Sequence, residues 1–444
     1  MMRRMTCGAA AAALLTLAGC AATPTGQTGA DAGHATPAAS TRAAAPGPTL
    51  ADANHATPAG PIRSPAPGSA LADAGHARLL TLDTHLDSPV HFGRAGWSFA
   101  DRHDPATEMA QVDLARMADG NLDGGFFAIF TPQGPLTPEG YAAANTWAQT
   151  RSKEIDAMVV RFGDRIGAAR SADDALALDA KGKLIAFKSI ENSYPLGESV
   201  AGLADYQRQG VRLAGIVHTE NNQFADSATD KPRWNGLSPL GRAWVSEMNR
   251  LGMVIDASHA SDASFDQLLA QSTAPILLSH SGSRAMFDHP RNLDDARLRK
   301  LAASGGALCF STIYLGKAEM GEERLALFDQ SEHISSLNPA SQAELSARWI
   351  AMDKTAPIWN ATFDQYMTAL LHVIAVAGPE HVCFGADFDG GGGIAGLQNV
   401  TDLPRITARL KAAGYADADL QKMWSGNVLR ILRAAQAQAA AAPR

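Results

Sequence analysis

The sequence predicts a closed (β/α)₈ barrel. Two observations carry this expectation. Eight short apolar runs alternate with longer amphipathic stretches across residues 78–434, the pattern of parallel strands joined by crossover helices. Six of the eight runs end in a histidine or a carboxylate, and the C-terminal ends of barrel strands are where such folds place their chemistry.

The runs are residues 79–87, 124–130, 184–191, 211–218, 253–259, 275–280, 307–313 and 382–387. Between them, 240–251 carries Leu240, Trp244, Val245 and Met248 at helical spacing, and 294–303 is a second amphipathic stretch. An open doubly wound sheet is disfavoured because no glycine-rich phosphate loop follows an early strand. The stretch 314–362, after the seventh run, is too long for a plain connection. It contains helix-forming segments at 319–328 and 340–353, which reads as a lid or a dimer contact. Residues 435–444 read as an Ala-rich tail.

The N-terminus has a different texture. Arg3 and Arg4 precede an apolar run at 9–17, too short to span a bilayer as a mature helix, so residues 1–20 read as an export signal. The signal ends in Leu17-Ala18-Gly19-Cys20, similar to a bacterial lipobox, with Cys20 as the lipidated first residue. Ala21 after it points to the periplasmic face of the outer membrane, with the membrane engaged only through this lipid. Residues 21–77 are rich in Ala, Pro, Gly, Thr and Ser. They repeat Ala-Asp-Ala-Gly/Asn-His-Ala around His34, His55 and His76, which reads as a flexible tether. Cys7 leaves with the signal. Cys309 and Cys383 sit in strand-like runs and read as two buried free thiols. The net charge of −7 excludes nucleic acid as the main partner.

His85 and Asp87 close the first run, two apart and so on one face of a strand. Glu191, His218, His259, His280 and Asp387 close the third, fourth, fifth, sixth and eighth. Three imidazoles (His85, His259, His280) and two carboxylates (Asp87, Glu191) suit Zn²⁺ but exceed one tetrahedral ion. They fit two Zn²⁺ ions bridged by Glu191, whose carboxylate has two oxygens. A water between two cations is hydroxide near neutral pH and attacks a carbonyl, and Asp387 passes the proton to the leaving amine. Lys188 is rejected as a carboxylated metal bridge because its parity in the third run opposes that of Glu191.

Six segments then carry a resemblance: Asp83-Thr84-His85-Leu86-Asp87, Asn235-Gly236-Leu237-Ser238-Pro239-Leu240-Gly241, Met253-Val254-Ile255-Asp256-Ala257-Ser258-His259, Ser279-His280-Ser281, His289-Pro290-Arg291-Asn292 and Gly385-Ala386-Asp387-Phe388-Asp389-Gly390. Together they resemble the membrane (renal) dipeptidase family of zinc peptidases, from about Leu82 to Leu432. The resemblance implies that His85, Asp87 and Glu191 hold one zinc, and Glu191, His259 and His280 the other. It implies that His218 contacts the substrate and the tetrahedral intermediate, that Arg291 binds the free carboxylate of a dipeptide, and that Asp387 is the acid/base. A homodimer is implied as well.

One departure is that Asn192-Ser193-Tyr194-Pro195 follows Glu191 where the family has glycines, which predicts a narrowed or reshaped pocket. Asp389 reads as support for the Gly390–393 turn, Tyr314 as a possible substrate neighbour and His289 as structural. Two other functions compete. A non-peptide amidohydrolase is disfavoured by His-x-Asp in place of His-x-His. A non-catalytic binding protein is disfavoured by the intact ligand set and Asp387.

Overall fold

Each apolar run becomes a strand because its residues are buried on both faces, the condition of a parallel sheet flanked by helices. The structure, a computed structural model, describes residues 75–441. Its strands are β1 Leu82–Leu86, β2 Gly124–Phe130, β3 Ile166–Ala168, β4 Leu184–Glu191, β5 Val211–Gly215, β6 Val254–Asp256, β7 Leu277–Ser281, β8 Ala307–Phe310 and β9 Val382–Phe384. All pair in parallel in the order β1-β2-β4-β5-β6-β7-β8-β9. The ring is drawn together by the bridge Leu86↔Phe388 and by the Asp87 amide donating to the Phe388 carbonyl at 3.0 Å. The barrel is therefore the expected one. β3, absent from the sequence reading, is a short strand that pairs with β4 outside the ring. Four of the eight runs leave the sheet three residues early, so His218, His259 and Asp387 stand in the loops just beyond β5, β6 and β9.

The helices are α1 Leu114–Asp119, α2 Pro138–Arg161, α3 Ala172–Asp179, α4 Gly202–Arg208, α5 Pro239–Leu251, α6 Asp262–Gln271, α7 Asp295–Ala303, α8 Glu322–Glu332, α9 Pro339–Thr355, α10 Phe363–Ala377, α11 Pro404–Ala412, α12 Asp417–Gln421 and α13 Asn427–Ala441. α5 shows why they form where they do. Ser238 caps it by accepting from the Gly241 amide, Pro239 starts it, and Gly252 ends it in the left-handed region. Its buried stripe is Trp244, Val245 and Met248. One apolar cluster takes Leu82, Phe126, Phe187, Leu213, Val254, Leu277, Cys309 and Cys383, one or more from every barrel strand, so it fills the barrel interior. Val428, Ile431 and Leu432 of α13 join it and close that end.

Three expectations change here. Cys309 and Cys383 are joined in a disulfide, not free. They stand opposite each other in the β8–β9 register, with Cα atoms 4.0 Å apart, close enough for the bond. His76, assigned to the tether, is buried, and its Nδ1 lies 2.6 Å from Thr407 Oγ1, so the fold begins earlier. The Ala-rich tail is helical to Ala441, and Ala435 is buried in the barrel-end cluster. The signal, most of the tether with its first two repeats, and Cys20 lie outside the described residues.

Candidate metal centre

Glu191 ends β4 with the same parity as Ile185 and Phe187, so it faces the barrel interior. Four imidazole Nε2 atoms converge on its carboxylate. His85 lies 3.3 Å from Oε2. His259, His218 and His280 lie 3.1, 3.4 and 3.5 Å from Oε1. On the Oε2 side, His85 Nε2 is also 3.2 Å from Asp87 Oδ2 and 3.8 Å from Asp387 Oδ1. Lys188, one residue out of phase, points away and bonds Ser152 and Asp156.

The polar atoms at this centre do not satisfy one another. His259 Nε2 and His280 Nε2 face each other at 2.9 Å, and only one of the two can carry the proton between them. His85 Nε2 and Asp87 Oδ1 are buried without a hydrogen-bond partner. Buried groups of this kind carry a penalty unless something else pairs them. Histidine nitrogens and carboxylate oxygens are the donor set of zinc, and three overlapping groups of ligand atoms, each within 4.8 Å, all draw on these residues: His85, Glu191 and His280; Glu191, His218 and His259; and His85, Asp87 and Asp387. The residues present therefore fit a metal.

Electrostatics agree. Burial alone would push His85 down, but Glu191 and Asp87 beside it hold it well above its usual value. Burial alone would raise Glu191, but His85 and His218 hold it well below. Asp387 is pushed well up by burial, with Asp87 and Glu191 adding to the effect. His218 falls to about 4 through burial, with Glu191 opposing and Arg291 and His85 adding to the effect. His259 and His280 are held well below normal, first by burial, then by Arg291 for His259 and by His85 and Arg291 for His280, which favours the neutral form that binds metal.

The backbone is held in an uncommon shape around the site. Of seven non-glycine residues with positive φ among the described residues, five are Asn192, His259, Tyr314, Asp387 and Asp389. Such conformations persist where surrounding contacts enforce them, often at functional sites. Gly390 is needed for approach, because a Cβ there would overlap Asp87 Oδ2 and crowd Asp387 Oδ1. Asp83, pushed up to about 7 by burial, accepts from the His85 amide at 2.8 Å and the Ala386 amide at 3.0 Å, tying the first strand to the last.

Above the centre is a cavity of about 230 Å³ lined by Asp87, Glu191, His218, His259 and Asp387 on the barrel side. Ala318, Met320, Phe328, Glu332, Ile358 and Trp359 cover it from the long connection. That connection covers the cavity on one side. His85 and His280 lie beneath the cavity wall. Arg291 is buried behind Tyr314, donating to Ser281 Oγ at 2.9 Å and the His280 carbonyl at 3.1 Å, with Nε unpartnered. His289 stacks on Tyr314.

The residues after Glu191 are expected to narrow or reshape the pocket. Asn192, Ser193 and Tyr194 are absent from the cavity wall. Asn192 adopts φ 68°, which asparagine tolerates almost as glycine does. Its amide group bonds Tyr194 N, Asn222 and Gln133. Asp389 does more than support its own turn. It accepts from the Gln111 amide at 2.6 Å and from Ser88 Oγ at 2.7 Å, pinning the β9 loop to the turn after β1. Sequence reasoning missed Glu332, Phe328 and Trp359, which carry no motif, and the pair Asp256–Ser279 behind His280, although both residues lie in the quoted segments.

Comparison with known proteins matches residues 71–444 to the model of membrane dipeptidase, peptidase family M19. The chain is 29% identical to dipeptidase tcpJ of Claviceps purpurea over 354 residues, covering 78% of this chain and 74% of that one. It is similar to the crystal structure of the probable dipeptidase PvdM from Pseudomonas aeruginosa, with TM-score 0.70, 30% identity, and 83% and 98% of the two chains covered. It shares its fold with a Rhodobacter sphaeroides metallopeptidase liganded with a phosphinate mimic of L-Ala-D-Ala, with TM-score 0.63, 22% identity and coverage of 80% and 99%. The curated relatives overturn the expected placement on a bacterial outer membrane. The curated relatives are fungal dipeptidases, from Claviceps purpurea and Schizosaccharomyces pombe among others. Among the described residues no helix is long and apolar enough to cross a membrane. The family match over the whole barrel and the histidine–carboxylate centre agree, and the chain belongs to the membrane dipeptidase family, peptidase family M19, as a metal-dependent dipeptidase.

Proposed function

We propose that the chain hydrolyses the single peptide bond of a dipeptide at a dinuclear zinc centre held by His85, Asp87, Glu191, His259 and His280. The observation that carries this reading is the convergence of four imidazole Nε2 atoms on the two oxygens of Glu191. Because Oε2 faces His85 and Oε1 faces His259 and His280, Glu191 is suited to bridge two ions. Bound zinc supplies Lewis acidity and lowers the pKa of the attacking water.

The chain's own residues do the rest. Asp387, beside the Asp87 and Glu191 carboxylates, takes a proton from the water and returns it to the leaving amine. His218 is the most exposed of the four imidazoles at the centre, with 23% of its side chain accessible, and it contacts the scissile carbonyl. Arg291 supplies positive potential at its end of the cavity, as its lowering of His218, His259 and His280 indicates, and it attracts the substrate carboxylate. The cavity is smaller than the roughly 300–1,000 Å³ of drug-sized sites, which favours a dipeptide over a longer chain. The dipeptide mimic bound by the Rhodobacter sphaeroides structure supports the same substrate class.

Purified chain loaded with Zn²⁺ is to be assayed on L,L- and L,D-dipeptides and on dipeptide amides. We expect two zinc ions per chain by elemental analysis and turnover that requires the free carboxylate. No hydrolysis of any of them with metal bound would reject the reading.

A further inference from the structure

The long connection after β8 brings one acidic side chain to the catalytic cavity. Glu332, the last residue of α8, lines the same cavity as Asp87, Glu191 and Asp387. Its companions from the connection, Ala318, Met320, Phe328, Ile358 and Trp359, are apolar in contact, so this carboxylate is the charged feature of that wall. Among the described residues its carboxylate makes no hydrogen bond or ion pair. Arg151, the cation whose field reaches it, is held by the Pro89 carbonyl and by Glu154 Oε2.

We propose that Glu332 binds the free α-ammonium of the dipeptide, making an unblocked N-terminus a condition for efficient turnover. The inference rests on the dipeptidase reading above and adds the residue that recognises the amino end. A dipeptide zwitterion carries opposite charges on either side of its single peptide bond. Arg291 lies behind one part of the cavity wall and Glu332 is on the connection, so one orientation matches both charges and the reverse opposes both. Burial, with Asp87 nearby, pushes the Glu332 carboxyl up to about 8. An ammonium docked beside it favours the ionised form and offsets that penalty. A neutral acyl group in the same place leaves the acid unpaired.

The test uses zinc-loaded full chain, wild type, Glu332→Gln and Glu332→Asp, with Ala-Ala and its des-amino analogue propionyl-Ala. Wild type is expected to prefer Ala-Ala at least tenfold in kcat/KM. Glu332→Gln is expected to lose at least tenfold on Ala-Ala, mostly in KM, and less than twofold on propionyl-Ala. Glu332→Asp is expected to recover part of the loss. Thermal melting and zinc content confirm that the variants fold and load. Equal turnover of the two compounds by wild type, or an equal effect of Glu332→Gln on both, would overturn the assignment and leave the hydrolase standing. Turnover of neither compound with two zinc ions bound would overturn both readings.

Discussion

The Ser279 hydroxyl lies 2.5 Å from Asp256 Oδ2 and gives its only proton to that carboxylate. Ser279 Oγ therefore accepts from His280 Nδ1 at 2.8 Å, which leaves the Nε2 lone pair facing Glu191. Asp256 is itself fixed by the Ser258 and Ser279 amides, both at 2.9 Å. Partners of this kind set the tautomer of a metal-binding histidine, and their loss weakens metal binding by about 10–100-fold. Ser279→Ala should weaken zinc binding within that range while the protein still folds, as read by competition with a chelating dye. Unchanged affinity would remove this role.

Asp387→Asn should retain zinc and lose about 10²–10⁴-fold in kcat, the usual contribution of a positioned acid/base. Its neighbour Gly390 fits either side chain, since the amide is close in size to the carboxylate. Turnover within a factor of three of wild type would exclude Asp387 from proton transfer.

Zinc uptake should release protons. Burial opposes the charged His85, but Glu191 and Asp87 hold its pKa well above normal, so the metal-free imidazole carries a proton near neutral pH. A ligand must be neutral to bind, so the ion displaces that proton. Apparent affinity should therefore rise with pH until the metal-free His85 loses its proton, above the usual histidine range. Calorimetry in buffers of different ionisation enthalpy measures the release, and a buffer-independent heat would contradict it.

Glu332 makes the metal-free protein's stability pH-dependent. Its carboxyl is raised from 4.5 to about 8, first by burial, then by Asp87, with Glu191 and Asp329 adding and Arg151 opposing. The unfolded chain loses this proton near pH 4.5 while the folded chain keeps it to about 8. Stability thus falls as pH rises through that window and levels off above it. Glu332→Gln lacks the effect. With chelator present, its Tm advantage over wild type should widen between pH 5 and 8, and a constant difference would count against a raised acid there.

The Cys309–Cys383 bond closes a loop with a sequence separation of 74. Chain-entropy arguments assign a crosslink of that span about 4 kcal/mol. The double variant Cys309→Ala/Cys383→Ala should melt well below wild type, and mass spectrometry of unreduced protein should find the pair joined. Two free thiols in protein purified without reductant would refute the bond.

Local pattern determined much of this protein. Eight apolar runs are short-range features of the chain, and a histidine or carboxylate at the end of six of them is readable without any contact map. The barrel and the strand-end positions of His85, Glu191, His218, His259, His280 and Asp387 were legible for that reason. What the sequence could not show depends on neighbours far apart in the chain. Cys309 meets Cys383 only because β8 and β9 pair in one register. His76 becomes part of the fold only when Thr407 packs against it. Asn192 keeps the glycine-like backbone because its side chain is drawn towards Asn222 and Gln133. Glu332, with no motif around it, becomes a cavity residue only when α8 folds across the barrel mouth. Strand order and burial follow from periodicity, whereas register across the ring and the path of a long connection are decided by packing that the closed barrel alone brings about.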